Sequence, residues 1–116
     1  MRHQSKKITL DRKTAGRRSL LANLAESLII YGKIKTTKAK AKAVRSLVEK
    51  LVTVAGKNNL TARRQISKTL YTENAVKKMM EVYGPKYKEI KGGYTRITAL
   101  KNRKGDGAEE AVVEFI

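Results

Sequence analysis

The chain has 116 residues, the length of one domain, and a formal net charge of +17 from 27 Lys/Arg against 10 Asp/Glu. It has no Cys, which excludes disulfides, thiolate zinc sites and thiol catalysis, and with 5% aromatic residues and no Trp its core must rest on Leu, Ile, Val, Ala and Met. A charge so far beyond what solubility requires makes the chain repel itself at low salt, so an acidic partner is expected, nucleic acid before a membrane surface.

Residues 1–10 read as a basic N-terminal extension carrying Arg2, His3, Lys6 and Lys7, with residues 11–116 as a single domain. No apolar h-region follows Met1-Arg2-His3 and no run of about 20 apolar residues occurs, so a soluble, cytoplasmic protein with no membrane partner is expected. Asp11 is placed to cap a first helix over about residues 12–31. Its first turns carry Arg12, Lys13, Arg17 and Arg18. Leu20, Leu21, Leu24 and Leu28 repeat at helical spacing, with Ala25, Ile29 and Tyr31 extending the buried face, and Gly32 follows as a C-terminal glycine.

Lys33 to Thr36 predicts a short strand, and Thr36 or Thr37 a cap for a second helix over about 38–55. Ala41, Val44, Leu47, Val48, Leu51, Val52 and Ala55 give that helix a continuous apolar stripe, ended by Gly56. Lys38, Lys40 and Lys42 crowd its first turns, with Arg45 a turn later. A helix N-terminus is already partly positive, and each exposed cation there costs about 0.3–1 kcal/mol, which an external polyanion would offset. Lys40 shares the apolar meridian with Val44, so it escapes burial only by projecting past the end of the core. The strand leading back from Gly32 would bring this cluster near Arg17 and Arg18, within a Debye length of about 8–10 Å.

After a turn at Lys57-Asn58-Asn59, a third helix is expected over about 60–70, with Leu60, Ile66 and Leu70 inward and Arg63, Arg64 and Lys68 outward. Thr72 would cap a fourth helix running to about Tyr83, with Val76, Met79, Met80 and Tyr83 as its core stripe and Gly84-Pro85 as its stop. A basic linker, Lys86 to Lys91, leads to Gly92-Gly93-Tyr94-Thr95-Arg96-Ile97. Tyr94 to Lys101 suits a strand, Arg103 to Ala108 a hairpin loop and Ala111 to Ile116 a final strand. The fold class is α+β: a two-layer helix/sheet domain in the order α-β-α-α-α-β-β, with a small three-stranded mixed sheet under the helices and a basic N-terminal tail.

Charge is unevenly spread along this order. Residues 1–45 hold thirteen Lys/Arg against Asp11 and Glu26, whereas from residue 92 on four cations meet four carboxylates. The N-terminal part is therefore the expected binding side. The only histidine, His3, lies in the tail with no scaffold to hold a general base. Asp106, Glu109 and Glu110 read as a solvated turn, and the glycine pair matches neither a phosphate loop nor a dinucleotide fingerprint. No enzyme activity, cofactor, metal or small-molecule substrate is expected.

Phosphate backbones are bound by Lys/Arg clusters through counterion release, aided by the N–H groups at helix N-termini. The nucleic-acid-binding candidates are Arg2, His3, Lys6, Lys7, Arg12, Lys13, Arg17, Arg18, Lys35, Lys38, Lys40, Lys42, Arg45, Tyr94 and Arg96. Tyr94 stays open between stacking on an unpaired base and packing on a helix. A nucleoid-type DNA-binding protein is the rival reading, although no dimer interface or symmetric arm is evident.

Leu10-Asp11-Arg12, Arg17, Asn23-Leu24-Ala25, Ile34-Lys35-Thr36-Thr37 with Lys40-Ala41-Lys42, Gly84-Pro85, Gly92-Gly93-Tyr94-Thr95-Arg96-Ile97 and Gly105-Asp106 occur in one order along nearly the whole chain. In this ordered set the sequence resembles the bacterial-type large-subunit ribosomal protein seventeen family. The resemblance implies an α-β-α-α-α-β-β domain and a structural, cytoplasmic, ribosome-bound protein. Its partners would be large-subunit ribosomal RNA and neighbouring large-subunit ribosomal proteins on the solvent side, near the peptide exit tunnel.

Overall fold

The apolar stripe of the second helix decides the architecture. In a computed structural model, which describes residue 10 and residues 12–116, this stripe is buried between the other helices and a three-stranded sheet. The expected tail cations Arg2, His3, Lys6 and Lys7 and the Asp11 cap lie outside the described residues. The elements are α1 (Thr14–Tyr31), β1 (Lys33–Thr37), α2 (Lys38–Ala55), α3 (Leu60–Thr69) and α4 (Glu73–Lys78). A wide-turned π segment (Met79–Tyr83) and a single closing turn, α5 (Gly84–Lys86), continue α4, and β2 (Thr95–Ala99) and β3 (Glu110–Phe115) complete the chain.

The order is the expected one, but the sheet is antiparallel throughout rather than mixed. β3 lies in the middle, paired antiparallel with both β1 and β2. The two edge strands run parallel to each other without pairing, because the last strand inserts between them. The register lines up Ile34, Val113 and Ile97 in one inward row under α2. The outward row beside it carries Lys33, Glu114 and Arg96.

Helix ends explain several departures. Gly32 adopts a left-handed conformation and its N–H closes on the Leu28 carbonyl at 2.8 Å, as expected of a C-terminal glycine. Thr37 and Thr72 stand at cap positions, yet neither side chain caps its helix. The N–H of Lys38 instead donates to the Glu109 carbonyl at 2.9 Å, and the Glu26 carboxylate of α1 accepts the N–H groups of Tyr71 and Thr72. A carboxylate from a neighbouring helix replaces a local cap there and also favours the positive end of α4. α3 has a local cap, the Asn59 side chain accepting from Ala62 N–H at 2.7 Å. Leu60, just after that cap, points out at 61% exposure rather than inward, and Tyr31 at the end of α1 is 74% exposed.

Gly84-Pro85 does not stop the fourth helix. Gly84 is helical, with φ −55° and ψ −57°, and the chain coils on to Lys86. Proline has no N–H to give the carbonyl four residues back and crowds it, and the π segment stands directly before this point. Gly84 is buried for another reason: a Cβ there would lie 2.9 Å from the Ala55 carbonyl oxygen. Two helix backbones touch, and only a hydrogen atom fits between them.

The π segment also presents Tyr83 to an aromatic group at the bottom of the core. Tyr83 stacks on Phe115 at 4.0 Å between ring centroids, and Tyr87 tilts onto Tyr94 at 5.3 Å. Each tyrosine hydroxyl is spent on a backbone carbonyl: Tyr83 on Ile29, Tyr87 on Ile116 and Tyr94 on Ile90. Gly84→Ala is expected to force α2 and α5 apart and cost about 1–3 kcal/mol, as overpacking does. Thermal unfolding checks this, and an unchanged midpoint would show that the helices do not meet there.

Candidate nucleic-acid interface

The predicted cations fall into two groups, decided by where the carboxylates stand. β3 sends Glu110 and Glu114 to the outer side of the sheet, and the loop before it supplies Glu109. Glu114 accepts from Arg96 at 2.8 Å, Glu110 stands 3.9 Å from Lys35, and Glu109 stands 3.8 Å from Lys38. Glu49, one turn after Arg45 on α2, lies 3.6 Å from it and also accepts from the buried Thr95 hydroxyl at 3.0 Å. Arg45 therefore belongs to the joint between α2 and β2. Lys35, Lys38, Arg45 and Arg96 each have a partner within the chain. The cations of these pairs are about half exposed or more, and in the Lys38–Glu109 pair the carboxylate is exposed as well, so that pair is worth about 0–1 kcal/mol and a phosphate can compete for Lys38.

Arg12, Lys13, Arg17, Arg18, Lys40 and Lys42 have no carboxylate within 4 Å among the described residues. Lys40 is half-buried and Lys42 exposed, while Ala41, Ala43 and Val44 around them are buried. The lysines thus leave the core at the end of the stripe, where the apolar meridian requires it. No side chain caps α2, and the Glu109 carbonyl takes the N–H of its first residue. The start of α1 also has no side-chain cap among the described residues.

The two basic groups line separate clefts. Lys38 and Lys42 line a shallow cleft with Ala39 and Glu109. Arg18 lines another, of about 370 Å³, with Leu21, Leu47, Lys68, Thr69 and Tyr71. Leu47 lies nine residues beyond Lys38, a rise of about 13 Å along the helix. Arg18 thus stands beside the middle of α2 and the end of α3.

Tyr94 is a core residue. It is 4% exposed, tilted on Tyr87 and bonded through its hydroxyl to the Ile90 carbonyl, so it has no free face for a base. Gly92 and Gly93, with φ of +87° and +67°, turn the chain so that Tyr94 enters the core. Arg96 stays on the surface, its side chain 60% exposed even while paired. Two basic features escape the sequence reading. A cleft of about 390 Å³ brings Lys57, Lys88 and Lys91 around Tyr87 and Tyr94, and Lys68 joins Arg18 beside Tyr71. Both need elements distant in sequence to meet, so no local motif marks them.

Among the described residues no three His, Asp or Glu side chains converge as a metal site, and no helix is long and apolar enough to cross a membrane.

Comparison with known proteins covers the same elements. The family profile described as Ribosomal protein L17 matches residues 20–116. The large ribosomal subunit protein bL17 of Solibacter usitatus is 49% identical over 116 residues, covering 100% of this chain and 77% of that protein. The proteins of the same name from a Sulfurihydrogenibium species and from Sulfurimonas denitrificans are each 46% identical, over 100% of this chain and 97% and 100% of their own lengths.

The hairpin between β2 and β3 supplies a direct test of the pairing. Arg103 donates to Asp106 through Nε at 3.1 Å and Nη2 at 2.6 Å, and Asp106 also accepts from Ala108 N–H at 3.1 Å. The Arg103 hydrogen bond, then the Ala108 N–H, hold the Asp106 carboxyl down at about 2. Its unfolded value is about 3.9, so the turn keeps this support above that pH and loses it as pH falls through about 2. Carboxyl-carbon NMR is expected to show the low midpoint, and Arg103→Gln to raise it. A midpoint near 4 in the unaltered protein would contradict the pairing.

Proposed function

The chain belongs to the ribosomal protein L17 family, and from that premise we propose that it is a structural constituent of the large ribosomal subunit that binds ribosomal RNA. Family membership makes it a structural ribosomal component rather than an enzyme. On this reading it is cytoplasmic and ribosome-bound, with large-subunit ribosomal RNA and neighbouring large-subunit proteins as its partners. The observation that carries the RNA contact is the division of charge. Carboxylates meet Lys35, Lys38 and Arg96 at the sheet and Arg103 in the hairpin, while Arg12, Lys13, Arg17, Arg18, Lys40 and Lys42 gather around two helix starts with no such partner among the described residues.

The start of α2 is the strongest phosphate site on physical grounds. No side chain caps its N–H groups, of which that of Lys38 donates to the Glu109 carbonyl, Lys40 and Lys42 stand in its first turns, and Lys38 needs only to leave an exposed carboxylate. A phosphate oxygen satisfies donors and ammonium groups together and removes the penalty of cations at a helix start. The tail cations Arg2, His3, Lys6 and Lys7 add reach along an RNA backbone. The Gly92-to-Arg96 segment contributes Arg96, while Tyr94 serves by holding the segment to the core.

Replacing Lys40 and Lys42 together by Gln is expected to weaken binding to a large-subunit RNA transcript. The slope of log affinity against log salt should flatten by about 0.7–0.9 for each phosphate left unneutralised. The same two charges removed at Lys101 and Lys104, on the hairpin, should leave the slope unchanged. Equal effects from both pairs would mean that the chain binds by net charge alone, and no effect from the first pair would place those lysines in solvent.

A further inference from the structure

The cleft between α1, α2 and α3 has a composition that none of the cation clusters read from sequence shares. Leu21 of α1 and Leu47 of α2, both packed against the core, give it apolar walls. Arg18 and Lys68 stand at its edge, and no carboxylate lines it. Tyr71 completes it from the α3–α4 junction. The chain has only six aromatic residues. Tyr83, Tyr87, Tyr94 and Phe115 pack on one another at the base of the core. Tyr71 instead is 63% exposed, and none of those rings stacks on it.

Its position is fixed all the same. The Glu26 carboxylate accepts the N–H groups of both Tyr71 and Thr72, pinning the junction to α1. A large flat side chain, wet on one face and held at its backbone, costs little further order when a planar ligand covers it. The volume of about 370 Å³ is within the range of small-ligand clefts.

We propose that this cleft seats one unpaired nucleotide of large-subunit RNA, its base on the Tyr71 ring and its flanking phosphates against Arg18 and Lys68. The proposal rests on the ribosomal-RNA reading above and adds to it a contact that recognises unstacked bases. Apolar walls suit the base, the two cations suit its phosphates, and the lack of a lining acid leaves those cations for an anion. Base–aromatic stacking tolerates any of the four bases, so the site selects an exposed, unpaired nucleotide rather than a sequence.

The chain contains no Trp, so Tyr71→Trp installs a single indole as a reporter. Titration with a full-length large-subunit RNA transcript is expected to quench its emission saturably. Tyr31→Trp, at a position still more exposed and outside the cleft, should not be quenched. Tyr71→Ala is expected to weaken binding about tenfold or more, Tyr71→Phe to bind as the unaltered protein does, and all four variants to keep its melting temperature. Two results overturn the proposal while the RNA reading stands: a Tyr71→Trp emission unmoved by RNA that binds with a normal salt slope, or a Tyr71→Ala variant of full affinity. Quenching that appears only after other large-subunit proteins are added would give the cleft to a protein segment and overturn it as well. If the unaltered protein shows no salt-dependent binding to the transcript, the RNA reading itself falls.

Discussion

The apolar stripe of α2 must be buried along nearly its whole length, while the lysines at its start cannot be. Ala41, Val44, Val48, Val52 and Ala55 are fully or almost fully enclosed by α1, the π segment and the sheet. An unpaired ammonium inside that core would cost several kcal/mol. The helix is therefore placed so that Ala41 closes the core while the Lys40 and Lys42 side chains leave it beside Lys38, which the loop before β3 reaches through Glu109. At the other end Ala55 meets the backbone of Gly84, which brings α2 and the π segment close and points Tyr83 toward Phe115. One packing requirement thus sets the sheet under the helix, the aromatic base of the core and the projection of the lysines.

The same arrangement gives the charge its direction. A net +17 spread evenly would bind any polyanion in any orientation. Here β3 lies in the middle of the sheet and turns Glu110 and Glu114 outward, where Lys35 and Arg96 flank them. Asp106 holds Arg103 in the hairpin, and Glu49 holds Arg45 against β2. The acidic residues work as internal fasteners at one side of the domain, and Glu26 works as one at the junction of α3 and α4. Arg12, Lys13, Arg17, Arg18, Lys40 and Lys42, without such fasteners among the described residues, gather around the starts of α1 and α2, where helix N-termini already favour anions. Membership of the L17 family places the chain in the large ribosomal subunit, and the proposed cleft beside Tyr71 would add a contact of a second kind to these cations.

Periodicity reads well wherever one face of an element is buried. α2 runs over the residues its stripe marks, and Gly32, the hairpin and the last strand lie where turn chemistry puts them. The failures have a common cause: the deciding contact comes from elsewhere in the chain. Gly84-Pro85 looks like a stop until the Ala55 backbone is seen against it. Tyr94 stays open between stacking and packing until Tyr87 and the Ile90 carbonyl are seen to enclose it. Thr37 and Thr72 look like caps, but the Glu109 carbonyl and the Glu26 carboxylate reach those helix starts. The mixed sheet fails because strand order depends on the final strand inserting between two earlier ones. Lys68 and Tyr71 do not read as a site in sequence because Leu21 and Leu47, which make the cleft, belong to two other helices.

The central claim is that the start of α2 faces RNA while the hairpin, where Asp106 holds Arg103, does not. Chemical acetylation of lysines, compared between the free protein and intact large subunits, tests it most directly. The account predicts strong protection of Lys40 and Lys42 in the assembled particle, with Lys101 and Lys104 modified as readily as in the free protein. Protection of the hairpin lysines with Lys40 and Lys42 left reactive would contradict it.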